Sequence, residues 1–219
     1  MLEEELRRHA MPYTIVGGIR FYERREVKDV IAYLRLLVNP ADDVSLLRVI
    51  NTPKRGIGDT TVERLAVHAR QTHTDLIQAA LHADEVDGLG GRAVKAVQEF
   101  ARVMESLVTA STSGGLSLPE LAQEVLERSG YLESLQSQDT PEAQARIENL
   151  GELVNSETEF AAGRQEEDGL GLSEFLEEVA LMTSEDESDP TVGGEQGTLT
   201  LMTLHSAKGL EYPIVAICG

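Results

Sequence analysis

The chain of 219 residues lacks several features that would narrow its function. It has a single cysteine, Cys218, so internal disulfides are excluded and a reducing, cytoplasmic compartment is expected. It has no tryptophan and only 4% aromatic residues, so stacking platforms for single-stranded nucleic acid are not prominent. No apolar run approaches membrane-spanning length and the N-terminal segment MLEEELRRHA is charged, so neither a membrane partner nor a signal peptide is expected.

Basic residues are also scarce, with 19 Lys and Arg against 38 Asp and Glu, giving a net charge of −19. Residues 1–110 carry 15 basic and 16 acidic side chains, whereas residues 111–219 carry 4 and 22. The basic residues cluster between Arg20 and Arg70, where ten of them stand among seven acids. A nucleic-acid surface is therefore expected in that segment.

Motifs that carry catalysis by themselves are missing. The sequence contains no G-x-x-x-x-G-K-[ST] loop, so nothing in it cradles the β- and γ-phosphates of a nucleotide. The five histidines show no metal-ligand spacing with cysteine or carboxylates, and Asp84-Glu85 lies in a polar loop. We therefore predict neither a catalytic residue nor a metal site in this chain.

Hydrophobic periodicity predicts a mainly α chain with a few strands at its ends. A short strand is predicted at Tyr13–Val16, and the apolar positions predict helices over residues 27–38, 42–50, 118–129, 141–160 and 173–182. Residues 184–197 have almost no apolar content and are predicted to form an acidic flexible linker. Two more strands are predicted near the end, within residues 199–204 and over residues 212–217, the latter buried on both faces.

A Gly-Ile-Gly turn follows the second predicted helix, in the segment Asn51–Gly58. Thr60 and Glu63 have the spacing of a capping box, which predicts a helix starting there. A glycine turn that leads into a helix leaves backbone N–H groups pointing outward at the positive end of the helix dipole. With Lys54 and Arg55 beside it, the turn is predicted to bind an anion.

The arrangement recurs at Gly88-Leu89-Gly90, which precedes Arg92 and another amphipathic stretch. Glycines 56 and 58 with Val62 and Leu65 match glycines 88 and 90 with Val94 and Val97 at a constant offset of 32 residues. The two turns resemble tandem helix-hairpin-helix units, which hold duplex DNA by its phosphates without reading bases. The alternative is that the glycines simply make tight turns between helices.

The stretch TLTLMTLHSAKGLEYPIVAICG at residues 198–219 places His205, Lys208 and Glu211 between two predicted strands. Open α/β sheets bind phosphates and nucleotides at one edge, where polar groups such as these lie. The alternative is an ordinary strand–loop–strand segment.

Two long motifs carry a resemblance: IVGGIRFYERREVKDVIAYLRLLVNPADDVSLLRVINTPKRGIG and LMTLHSAKGLEYPIVAI, with ARIENLGELV between them. They resemble the UvrD/Rep/PcrA family of superfamily 1 DNA helicases, which unwind DNA with 3′→5′ polarity and act in repair and replication. The resemblance implies that residues 19–183 form a helical 2B insertion. Residues 1–18 and 198–219 would then belong to an incomplete second RecA-like α/β domain, the latter carrying motif V.

The resemblance also implies roles for individual residues. Glu211 would contact the ribose of ATP, while His205 and Lys208 would contact single-stranded DNA. Duplex DNA would be gripped by residues of the two glycine turns, namely Thr52, Lys54, Arg55, Gly56, Ile57, Gly58, Thr60, Gly88, Gly90 and Arg92.

The family's Walker A and B motifs, a Tyr-Arg pair and an arginine-bearing motif are absent from these residues. ATP and Mg²⁺ are therefore expected in a parent enzyme and not on the isolated fragment, which is predicted to be inactive as an ATPase. The expected partners are duplex and single-stranded DNA, the remainder of a helicase and a repair protein.

Glycines stand at both crossings between the predicted insertion and the strands: Gly17, Gly18, Gly193, Gly194 and Gly197. They are predicted to act as a hinge whose rotation brings the glycine turns onto or off the duplex and so regulates unwinding. The alternative function is a protein-interaction module whose acidic helical half docks a basic regulatory partner. Steep salt dependence of binding to any duplex sequence would favour the first reading.

Overall fold

The structure is a computed structural model that describes residues 5–6, 8–9, 11–16, 21–113, 115–162, 171–184, 199–202, 207 and 211–217. The chain divides into two compact units. One comprises Arg24–Ala180, and the other combines Met1–Glu23 with Leu181–Gly219. The described part is mainly α, as the periodicity predicts.

Across the described residues from 25 to 184, nine α-helices follow one another along the chain: α1 (Arg25–Val38), α2 (Asp43–Val49), α3 (Asp59–Thr72), α4 (Leu76–Leu81), α5 (Gly91–Thr112), α6 (Leu118–Arg128), α7 (Tyr131–Gln136), α8 (Pro141–Ala162) and α9 (Leu172–Ser184). Short 3₁₀ turns occupy Phe21–Glu23 and Ala83–Glu85. Among the described helices, none is both long and apolar enough to cross a membrane.

Helix α1 is the centre of the helical unit. Its side chains are buried around most of its circumference, including Val27, Val30, Tyr33 and Leu34, which have no exposed surface. A helix that is buried on most of its sides has to be surrounded by others. Accordingly α2, α5, α6 and α8 all pack against it.

The turn between α1 and α2 forms as its residue types dictate. Asn39 follows the last residue of α1, and Pro40 comes next, where the helix cannot continue. Asp42 is the N-cap of α2, because its carboxylate accepts a hydrogen bond of 3.2 Å from the backbone N–H of Ser45. The Ser45 hydroxyl also donates to this carboxylate, and the pKa of Asp42 is lowered below its ordinary value.

The five helices predicted by periodicity are confirmed as α1, α2, α6, α8 and α9, with ends within two residues of those expected. Helices α4 and α7, of 6 residues each, were not predicted. The predicted capping box of Thr60 and Glu63 is wrong. Helix α3 begins one residue earlier, at Asp59, with Gly58 as N-cap and no side-chain cap hydrogen bond.

In the other unit, strands β1 (Tyr13–Val16) and β2 (Leu199–Met202) pair in parallel, with Tyr13 opposite Leu199 and Val16 opposite Met202. Parallel neighbours need a long crossover connection, and here the helical residues lie between them in the chain. The strand predicted over residues 212–217 is not observed. Residues 211–217 form no strand, and Ile214 is 90% exposed because no described strand pairs with this segment.

A candidate nucleic-acid interface

The first glycine turn, Asn51–Gly58, joins α2 to α3. Gly56 has a φ of +80°, in the left-handed region that favours glycine, and Gly58 is extended at the N-cap of α3. The Asn51 side-chain oxygen accepts hydrogen bonds from the backbone N–H groups of Arg55, at 2.8 Å, and Ile57, at 3.3 Å. Ile57 is 2% exposed. The turn is therefore fixed from inside by an amide and an apolar anchor.

The second glycine turn, Val86–Gly90, repeats the conformations of the two glycines. Gly88 has a φ of +77°, and Gly90 is extended at the N-cap of α5. Val86 is buried and Leu89, the counterpart of Ile57, is half-buried. The 32-residue repeat of the sequence thus corresponds to a repeat of conformation.

Both turns leave backbone donors unused at a helix N-terminus. Among the described residues no group accepts a hydrogen bond from the N–H of Asp59 or Thr60 at the start of α3. The same holds for Gly91, Arg92 and Ala93 at the start of α5, again within the part of the chain that the structure describes. Such donors at the positive end of a helix dipole are what an anion binds.

The charged side chains beside the turns have mixed signs. Lys54 and Arg92 are exposed, and neither forms an ion pair with a described residue. Asp59 is the first residue of α3, and Asp87 immediately precedes Gly88. The carboxylates offset part of the positive charge, so an anion at either turn would be held mainly by backbone donors together with these two cations.

Arg55 is directed into the protein, although it was predicted beside Lys54 as a duplex contact. Its terminal nitrogens donate hydrogen bonds of 2.7 to 3.4 Å to five interior oxygens: the carbonyls of Val49, Ile50, Pro53 and Ser129 and the hydroxyl of Tyr33. Its guanidinium carbon also lies 5.2 Å from the ring centroid of Phe100. Arg55 thereby ties the first glycine turn to α1, α5 and the end of α6.

Two further contacts hold the segment that carries Arg55. The Tyr33 hydroxyl donates to the carbonyl of Thr52 at 2.6 Å, and burial raises the pKa of Tyr33 even though Arg55 acts to lower it. The Thr52 hydroxyl donates to the carbonyl of Arg48 at 3.2 Å. Thr52 and Arg55 are half-buried, whereas Thr60 is exposed.

Arg64 and Asn51 belong to the site but were not predicted from the sequence. Arg64, on α3, lies over Gly88 of the second turn. Asn51 carries a local signal, since asparagine often bonds to the backbone of a turn that follows it. Arg64 carries none, because its proximity to Gly88 depends on how α3 and α4 pack.

The remaining predicted site residues fall elsewhere. Glu211 is exposed and lies outside any helix or strand. His205, Lys208 and the hinge glycines Gly17, Gly18, Gly193, Gly194 and Gly197 lie outside the described residues. Within the described ranges, no group of three or more His, Cys, Asp and Glu side chains is placed to hold a metal ion.

The model of the UvrD-like helicase C-terminal domain family matches residues 1–219. The chain therefore belongs to this family, which confirms the resemblance found in its motifs.

Similar curated proteins cover the whole chain. It is 43% identical over 233 residues to ATP-dependent DNA helicase UvrD1 of Mycobacterium tuberculosis (strain ATCC 25618 / H37Rv). It is 38% identical over 221 residues to ATP-dependent DNA helicase PcrA of Bacillus subtilis (strain 168), and 39% identical over 219 residues to PcrA of Staphylococcus aureus (strain COL). In each case the match spans 100% of this chain and 29% of the relative.

Proposed function

We propose that this chain is part of an ATP-dependent 3′→5′ DNA helicase, and that its helical unit is the 2B insertion, which grips duplex DNA. One observation carries the proposal: the paired glycines have the same conformation in both turns, and each turn leaves donors unused at the start of a helix. Donors of the backbone bind phosphates without reading bases, as an enzyme that acts on any duplex sequence requires. The relatives' names, ATP-dependent DNA helicase, support the assignment.

Within this proposal the predicted duplex residues divide by what they touch. The backbone around Gly58, Thr60 and Gly90, with the side chains of Lys54 and Arg92, contacts phosphates. Five others give the turns their shape through buried, half-buried or left-handed positions: Thr52, Arg55, Gly56, Ile57 and Gly88. The tandem helix-hairpin-helix assignment requires both groups of residues, those that contact phosphates and those that shape the turns.

The other elements of the proposal concern a parent enzyme that binds ATP and Mg²⁺. There, Glu211 contacts the ribose, and His205 and Lys208 contact single-stranded DNA. Rotation about Gly17, Gly18, Gly193, Gly194 and Gly197 moves the glycine turns relative to the duplex and regulates unwinding. The chain itself contains no Walker motif, so we expect no ATP hydrolysis from it alone.

A protein-interaction module is the competing function. The observation in its favour is the acidic surface of α8, where Glu142, Glu148 and Glu159 are exposed. Such a surface would dock a basic repair protein through charge complementarity. The interaction-module hypothesis predicts that binding of this basic partner is insensitive to changes at the glycine turns.

Duplex binding measured by fluorescence anisotropy separates the two functions. Gly58 and Gly90 are extended, and nothing lies within 4 Å of a Cβ at either position, so both accept a side chain without rearrangement. Gly58→Asp with Gly90→Asp adds a carboxylate at each turn. Gly58→Asn with Gly90→Asn is the matched control, because both residues are good N-caps and differ chiefly in charge.

We expect the Asp pair to weaken duplex binding by about tenfold per turn at low salt, because the carboxylate faces the phosphate, whereas the Asn pair stays close to the wild type. The wild-type affinity is expected to fall steeply with salt on any duplex sequence. Equal binding by the Asp and Asn pairs would remove the turns from the interface. Protection of α8 by a basic protein, without duplex binding by the wild type, would favour the interaction module.

A further inference from the structure

A groove lined by several cationic side chains adjoins the first glycine turn. A groove of about 690 Å³ lies between residues 51–54 of the turn and helix α7. Its walls carry the side chains of Arg25, Lys54 and Arg146, together with Glu133 and the hydroxyls of Ser134 and Ser137. Lys54 therefore faces the groove as well as the turn.

The groove is locally positive, whereas the chain as a whole is acidic. Three cations face one carboxylate there, in a protein whose net charge is −19. Neither Lys54 nor Arg146 forms an ion pair with a described residue. A positive concave surface on an acidic protein concentrates anions locally.

Arg25 also keeps its charge available for a ligand. Its nearest carboxylate, Asp29, is 3.9 Å from Nε, but Asp29 has a closer cation in Arg48, at 2.8 Å. The Tyr131 hydroxyl donates to the same carboxylate at 2.8 Å. Because Asp29 is neutralised by Arg48, the exposed Arg25 is only weakly paired.

The groove is built from fixed walls. The hydrogen bond of 2.7 Å from Arg55 to the Ser129 carbonyl joins the turn to the residue before Gly130, which is the N-cap of α7. The Tyr131–Asp29 hydrogen bond joins α7 to α1. The cations are thus carried on backbone whose relative position is set by buried contacts.

The lining favours a sugar–phosphate backbone as the occupant. Cations, hydroxyls and amides line the groove together with the apolar Pro53 and Leu135, and its one aromatic ring, Tyr131, is 7% exposed and hydrogen-bonded to Asp29. A site that stacks bases needs an exposed aromatic face, whereas phosphate contacts need only cations and donors. Phosphates follow one another at about 3.4 Å of rise on each strand, so a strand held at the turn presents further phosphates alongside.

We propose that this groove is a second phosphate-binding site, which takes the backbone of the same duplex that the first glycine turn holds. Arg25 and Arg146 contact phosphates there, and Lys54 makes the surface continuous with the turn. This proposal rests on the proposed function, since it names further duplex contacts of the same unit. It assigns DNA binding to residues that precede and follow the glycine motif.

The test compares the salt dependence of duplex binding by two double variants of the whole chain. Arg25→Gln with Arg146→Gln removes two groove cations. Arg35→Gln with Arg102→Gln removes the same charge from exposed positions outside the groove lining. Arg35 is about 15 Å along α1 from Arg25, so it controls for net charge on the same helix. Arg25→Lys with Arg146→Lys tests rescue by charge alone.

Between about 50 and 200 mM salt, each lost phosphate contact lowers the slope of log affinity against log salt by about 0.9. We expect the groove variant to lose a slope of nearly 2 and about tenfold or more in affinity at low salt. The control variant should keep the wild-type slope, and the lysine variant should recover most of it. A structural defect would not produce this pattern of charge rescue.

The outcomes separate the groove from the glycine turns. Equal slopes for the groove and control variants overturn the groove site, while loss of binding by the Gly58→Asp and Gly90→Asp pair still supports the turns. Loss of binding only in the groove variant supports the groove and removes the turns. A wild-type chain that binds no duplex at low salt overturns both, as does a groove that takes poly-glutamate in preference to duplex.

Discussion

The guanidinium of Arg64 lies against Gly88: a Cβ on Gly88 would be 2.7 Å from Nη1 and 3.0 Å from Cζ. Arg64 belongs to α3, the helix that the first glycine turn begins, while Gly88 belongs to the second turn. The helix that follows the first turn therefore contacts the second turn through one side chain. The relative position of the two turns is part of what the candidate interface requires.

Replacement of Gly88 tests this contact. Gly88→Ala puts a side chain at a φ of +77° and displaces Arg64, so we expect a loss of about 1–2 kcal/mol in the free energy of unfolding. Gly91→Ala, three residues on, is the matched control. Gly91 is helical and nothing lies within 4 Å of the position that an added Cβ would take, so that change should be neutral or stabilising by up to about 1 kcal/mol. Urea unfolding of both variants gives the two values, and equal signs would contradict the prediction.

Arg55→Lys should damage the first glycine turn. An ammonium cannot reproduce the fork by which Arg55 bonds Tyr33 and Ser129 together with three carbonyls of its own segment. Carbonyls left without donors in a partly buried site cost about 1–3 kcal/mol, so we expect a destabilisation of about 2–4 kcal/mol in urea. Lys54→Gln, at the exposed neighbouring position, should stay within about 0.5 kcal/mol of the wild type. Similar losses for the two variants would mean that the buried contacts of Arg55 carry little stability.

The Arg55 contacts also mark where prediction from sequence stops. The paired glycines were predictable, since a left-handed position and an extended N-cap both favour glycine, and the repeat places them at a fixed offset. The direction of the Arg55 side chain was not predictable, because it depends on Ser129, 74 residues away, and on Tyr33 of α1. Two adjacent cations, Lys54 and Arg55, look alike in sequence and have opposite environments in the fold.

The same limit applies to secondary structure. Long helices such as α1 and α8 carry several turns of periodic apolar residues, which is enough to identify them and to place their ends closely. Helices α4 and α7 have fewer than two turns, so no period can be measured. Residues 212–217 are apolar, yet a strand forms only beside a partner, and β1 and β2 pair with each other. Non-local pairing is information that a local pattern does not contain.

Tyr131→Phe should loosen the attachment of α7 to α1. The change removes the hydroxyl that donates to Asp29, which is 3% exposed and retains only its contacts with the two arginines. Because a hydrogen bond to a charged group contributes about 1.5–3 kcal/mol, we expect a loss of that order in urea unfolding. Tyr22→Phe is the matched control, since no described group bonds the Tyr22 hydroxyl. An equal, small effect of both changes would show that Arg48 alone satisfies Asp29.

Glu157 on α8 makes the stability of the chain depend on pH. Its side chain has no exposed surface, and neither carboxyl oxygen has a hydrogen-bond partner among the residues that the structure describes. Burial therefore raises its pKa from 4.5 to about 8. The folded protein holds a proton that the unfolded chain releases between these two values. This contribution to stability is complete below about pH 4.5 and is lost as pH rises through about 8.

Glu157→Met removes the titrating group with little change in volume. Its expected gain over the wild type is on the order of 4 kcal/mol at pH 8.5 or so, and much smaller near pH 5, where the native carboxyl is already neutral. Urea unfolding at both pH values measures the difference. Glu159→Met, an exposed position on the same helix, should show no comparable dependence on pH. A pH-independent effect of Glu157→Met would mean that the carboxylate stays ionised in the folded protein. Water or a counter-charge would then have to reach the buried face of α8.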